Sequence, residues 1–202
     1  MNEERWQNLM QAMGLKPSTS CFNELVSAYN EKHRHYHTQK HIEAMLKHFD
    51  KTKNLTKNPL EMELAIWFHD AIYKPFSSSN ELDSANWASN FLLEQSYSQD
   101  GIDRIHKMIM STLHNGQAEA ADEQLIVDID LTILGTAESV YDEFERNVRK
   151  EYKLVPWLIY KRKRKEILEG FLQQENIYKT SFYQERFEDQ ARVNLSRAIQ
   201  AL

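Results

Sequence analysis

The stretch Thr38-Gln39-Lys40-His41-Ile42-Glu43-Ala44-Met45-Leu46-Lys47-His48-Phe49-Asp50-Lys51 decides the reading of the fold. Ile42, Met45, Leu46 and Phe49 recur at i, i+3, i+4 and i+7, the spacing of one buried helix face. Helical periodicity dominates the rest of the chain, and no segment sustains the period of two that a half-buried strand needs. Helices are expected near residues 1–13, 19–31, 38–51, 58–72, 80–96, 101–114, 121–134, 136–150, 154–175 and 180–200. Asn58-Pro59-Leu60-Glu61 reads as a helix start, with a capping residue, proline at the first helical position and an acid in the first turn. Gly101 and Gly135 read as boundaries, and Pro75 with Ser77-Ser78-Ser79-Asn80 as a loop. The expected class is all-α.

Composition agrees. The chain has 202 residues, with five glycines and four prolines, far below the roughly 12% of average usage. That excludes a turn-rich all-β protein and a long disordered linker. Lys and Arg number 25 against 30 Asp and Glu, a net charge of −5, which argues against general nucleic-acid binding. The basic run Lys161-Arg162-Lys163-Arg164-Lys165, flanked by Trp157, Leu158, Ile167 and Leu168, reads as the exposed part of an amphipathic helix. Cys21 is the single cysteine, which suits a reducing cytoplasm, and its expected role is packing. No leader is visible at the N-terminus. No apolar run approaches the ~20 residues that cross a bilayer, so a cytoplasmic protein without a membrane partner is expected.

Three places combine metal-ligating residue types. His37 and His41 are four apart, and on a helix they would share one face. His69-Asp70 ends the apolar run Trp67-Phe68. Asp128 and Asp130 lie inside Val127-Asp128-Ile129-Asp130-Leu131. Carboxylates in apolar surroundings are costly unless paired or bound to a cation. A divalent metal held by imidazoles and carboxylates would satisfy Asp70 and Asp130 together.

The order of these pieces resembles the HD superfamily of metal-dependent phosphohydrolases, and a bacterial subfamily of about this length in particular. The resemblance runs through Tyr36-His37-Thr38-Gln39-Lys40-His41-Ile42, Phe68-His69-Asp70-Ala71-Ile72-Tyr73, Asn80-Glu81-Leu82-Asp83-Ser84-Ala85, Asp128 to Gly135, Arg149-Lys150-Glu151-Tyr152 and Glu188 to Leu195. It implies an all-helical single domain over 1–202, with the metal-site helices within about 30–135 and a C-terminal helical extension packed on them. It implies His41, His69, Asp70 and Asp130 as metal ligands, with His41 preferred over His37, and His37 as the acid that meets the phosphate or the leaving oxygen. Asp128 is expected to cap or orient. Mn, Fe, Ni, Zn and Mg all suit such a set.

Other roles are more open. Glu81 either orients the attacking water or serves as a first-turn acid. His114 is a candidate for a second metal or for phosphate, and Arg34 and Lys74 are candidate phosphate clamps. Tyr73 stands where many HD enzymes carry Lys or Glu, so that role is unfilled. The implied partner is a small phosphorylated substrate such as a nucleotide, attacked by a metal-activated water. Two alternatives remain at this point. One is a di-iron HD-fold oxygenase, drawing on His106 and His114. The other is a nucleotide-binding sensor that does not turn over.

Overall fold

Short polar residues start several helices. In the computed structural model, which describes residues 1–114 and 118–202, the side chains of Asn2, Ser18 and Ser98 accept the N–H of Arg5, Cys21 and Gly101. Each satisfies a donor that a helix start leaves unpaired. Among the described residues the helices are α1 (Glu3–Ala12), α2 (Thr19–Ala28), α3 (Gln39–Thr52), α4 (Pro59–Phe68), α5 (Asn80–Glu94), α6 (Gln99–Ser111), α7 (Ala121–Asp130), α8 (Glu138–Glu151), α9 (Trp157–Leu172) and α10 (Ser181–Ala201). Short 3-10 turns cover Lys53–Leu55 and Leu131–Gly135, and no strand occurs among the described residues. The protein is all-α. No helix is long and apolar enough, among the described residues, to cross a membrane.

Three boundaries depart from expectation. α4 stops at Phe68 rather than Ile72. α7 tightens into its 3-10 turn directly after Asp130. Gly101 lies in the first turn of α6 rather than between helices, and an added Cβ there would collide with the Tyr97 ring.

Contacts divide the chain into two compact units, residues 1–126 and 127–202. The division falls inside α7. In the first unit α4 is the central element. Eight of its ten residues are buried, as expected for a helix that is apolar nearly all round. Its two acids are paired: Glu61 with Arg104 at 2.6 Å and Glu63 with Arg5 at 2.7 Å. Trp6 of α1 meets Trp67 edge-on at 5.5 Å, and Tyr29 donates to the Trp67 carbonyl at 3.0 Å. α3 turns Ile42, Met45, Leu46 and Phe49 inward, the stripe read from the sequence. Asp122, near the start of α7, accepts from Thr56, Lys57 and Asn58 and so ties that helix to the segment before α4. Cys21 is buried, and burial pushes its thiol up to about 12, so it is a packing residue and not a thiolate at neutral pH.

In the second unit the 3-10 turn packs on α10. Gly135 makes this possible, because a Cβ there would stand 2.6 Å from Phe187. Buried Asn194 donates to the carbonyls of Leu134 and Thr136, both at 2.8 Å. Asp128 accepts from the Lys179 and Thr180 amides at 2.7 Å and from the Thr180 hydroxyl at 2.6 Å. It thereby caps the entry to α10. Burial pushes its carboxyl up to about 6, while the three donors act in the opposite direction. Asp128→Ala leaves these buried donors unpaired, and urea denaturation is expected to show a loss of about 3 kcal/mol.

Candidate metal centre

Just beyond α4, backbone carbonyls are claimed by a side chain from elsewhere in the first unit. Arg34 is buried and donates from Nη1 to the Asp70 carbonyl at 2.6 Å and to the His37 carbonyl at 3.2 Å. Its Nη2 donates to the Ala71 carbonyl at 2.9 Å, and its Nε to Glu31 at 2.9 Å. The guanidinium also lies over the rings of Tyr29 and Tyr73, 5.2 and 5.5 Å from their centroids. One planar fork thus fixes the backbone on both sides of the candidate site. The turn after Asp70 is pinned from α5. Ser84 accepts the Ile72 amide at 3.0 Å, and Asn80 bonds both the amide and the carbonyl of Lys74 at 3.0 Å.

This scaffold brings His41, His69 and Asp70 together. His69 donates from Nδ1 to the Ile66 carbonyl at 3.0 Å. A carbonyl can only accept, so neutral His69 carries its lone pair on Nε2. That atom lies 3.2 Å from His41 Nε2 and 3.1 Å from Asp70 Oδ2. His41 Nε2 is 3.7 Å from the same carboxylate oxygen. His41 and His69 are buried, and the Asp70 side chain is 15% exposed. Burial raises the Asp70 carboxyl, but the adjoining His69 charge and hydrogen bond, aided by His37 and His41, hold it well below the usual carboxylate range.

Asp130 ends α7, in the second unit.

Other candidates fall elsewhere. His37 precedes α3 and does not share a helix face with His41, because Thr38 is the extended N-cap of that helix. It reaches the site another way: its ring stacks on Tyr73 with centroids 4.1 Å apart and stands edge-on to His41 at 6.1 Å. Arg34 is not an available phosphate clamp, since its nitrogens serve Glu31 and three carbonyls. Lys74 is exposed in the pinned turn. Glu81 lies in the first turn of α5. His114 is half-buried beyond the end of α6, with a left-handed backbone (φ 54°). Neither His106 nor His114 belongs to the metal-capable group.

The sequence reading missed the structural work of Arg34, Asn80 and Ser84. Their signal was present in the segments around each motif, but their partners are backbone atoms, which a sequence does not display.

No family model, no curated protein and no solved structure matches the chain.

Arg34→Met should leave the Asp70 and Ala71 carbonyls without their buried donor. Hydrogen exchange of the 69–73 amides is expected to accelerate by about tenfold or more, while the amides of α10 keep their protection.

Proposed function

We propose that the chain is a metal-dependent phosphohydrolase of the HD superfamily type, cytoplasmic, acting on a phosphomonoester or nucleotide. The observation that carries this reading is the meeting of His41 Nε2, His69 Nε2 and Asp70 Oδ2 within 3.1–3.7 Å. With a neutral ring, His69 turns the lone pair of Nε2 toward the Asp70 carboxylate at 3.1 Å in a buried place. That arrangement is costly without a positive centre between them. Two imidazoles and carboxylate oxygens are a donor set for Mn²⁺, Fe²⁺, Ni²⁺ or Zn²⁺, with Mg²⁺ less favoured by the nitrogens. When bound, such a cation supplies Lewis acidity, activating water and drawing charge from a phosphoryl oxygen.

The chain's own residues have separate tasks. His41, His69 and Asp70 hold the cation, and the family resemblance adds Asp130 as a fourth ligand. The hydrogen bond from His69 to Ile66 keeps its lone pair turned inward. His37, held against Tyr73, is placed to bind a phosphate oxygen or to give a proton to the leaving oxygen. Glu81 is the candidate to orient water. The oxygenase alternative would draw on His106 and His114, which belong to no metal-capable group among the described residues.

A screen with p-nitrophenyl phosphate and nucleoside monophosphates, run with Mn²⁺, Ni²⁺ or Mg²⁺, tests the reading. Activity should vanish on chelation and return with metal. Asp70→Ala should abolish it. His37→Ala should lower kcat about a hundredfold or more while leaving bound metal in place. Hydrolysis that survives both chelation and Asp70→Ala would refute the assignment.

A further inference from the structure

Four large apolar side chains stand in solvent at one end of α9. Leu154 is 77% exposed and Leu158 78%, with Trp157 and Ile159 at 48% each. All four lie within six residues, on the turn before the helix and in its first turn. The turn is firmly held. Arg149 donates to the carbonyls of Tyr152 at 2.6 Å and Val155 at 3.1 Å. Its guanidinium lies over the rings of Trp157 and Tyr160. Helical spacing carries the exposed strip from Leu158 to Arg162 and Lys165, so an apolar tip gives way to a basic flank.

The charge is lopsided. Residues 146–169 hold nine Lys and Arg against three acids, a net +6 in a chain of net −5. Glu151 is buried. Glu166 and Glu169 pair with Arg162, Lys163 and Lys165 at 2.8–3.8 Å, but exposed pairs of this kind contribute little and yield to competing anions. Arg164 departs from the exposed run and turns to Glu145 at 2.6 Å. Beside Trp157 a groove of about 800 Å³ is lined by Arg146 and Lys150. Two acids in its wall, Asp142 and Glu145, are paired with Arg197 and Arg164.

The geometry points to a docking surface for an anionic lipid bilayer. Projecting leucines and a tryptophan enter the headgroup boundary, and the flanking cations meet lipid phosphates. A nucleic acid would use the cations but leave the leucines in water. Two copies paired through the same surface would set +6 against +6. An anionic bilayer uses both halves of the strip. The earlier expectation of no membrane partner rested on spanning segments, which this surface does not require.

Sedimentation of the full chain with vesicles tests the proposal. Protein should pellet with mixed phosphatidylcholine and phosphatidylglycerol, but not with phosphatidylcholine alone, and added salt should release it. The double variant Leu154→Glu/Leu158→Glu should bind about a hundredfold more weakly or worse, and so should Lys153→Gln/Arg162→Gln/Lys165→Gln. Circular dichroism should stay unchanged in both, since all five side chains are exposed. No pelleting with anionic vesicles overturns the proposal, as does pelleting that survives the leucine changes. A dimer that Leu158→Glu dissociates would reassign the surface to a second copy. Duplex DNA binding lost only in the Gln variant would reassign it to nucleic acid.

Discussion

Two imidazole nitrogens and a carboxylate oxygen meet at 3.1–3.7 Å in the first unit, and much of that unit is arranged to keep them there. Brought together without a proton or a cation, they repel one another and forgo hydration. The surroundings remove the freedom to separate. α4 is buried nearly all round and cannot rotate His69 away without exposing Trp67 and Phe68. The Ile66 carbonyl fixes the His69 ring. Arg34 fixes the backbone of Asp70 and Ala71. A fold that holds like-polarity atoms together in this way spends stability on the site, a pattern typical of functional centres.

The supports are themselves charged or polar and mostly buried, so each had to be satisfied in turn. Glu61 and Glu63 on α4 answer Arg104 and Arg5. Asp122 collects donors from the segment before α4, and Asp128 collects donors from the entry to α10. α7 therefore carries four acids with different tasks on one short helix: Asp122 and Asp128 tie down backbone elsewhere, Glu123 accepts amides just before the helix, and Asp130 ends it.

Much of this was legible in the sequence. The spacing of Ile42, Met45, Leu46 and Phe49 marked α3 and its buried face. Asn58-Pro59 marked the start of α4. The choice of Asp130 over Asp128 as a ligand rested on family resemblance rather than on physics. What was not legible depended on backbone partners. His37 and His41 are four apart in sequence, yet the extended Thr38 keeps His37 off the helix, and stacking on Tyr73 brings it back to the site. Arg34 looked like a free cation because nothing in the sequence announces that three carbonyls will converge on it. The end of α4 was placed four residues late for a similar reason: the Ile66 carbonyl accepts from the His69 ring, and the Ala71 amide turns back to the Phe68 carbonyl in a tighter turn.

The central claim concerns a cation among His41, His69, Asp70 and Asp130. Elemental analysis of the purified full chain tests it most directly, beside His69→Ala and a His106→Ala control on α6. The account predicts a stoichiometric transition metal in the wild type and the control, and its loss in His69→Ala. Equal metal in His69→Ala and wild type, or a wild-type chain that takes up none of Mn²⁺, Fe²⁺, Ni²⁺ or Zn²⁺ when each is offered, would contradict it.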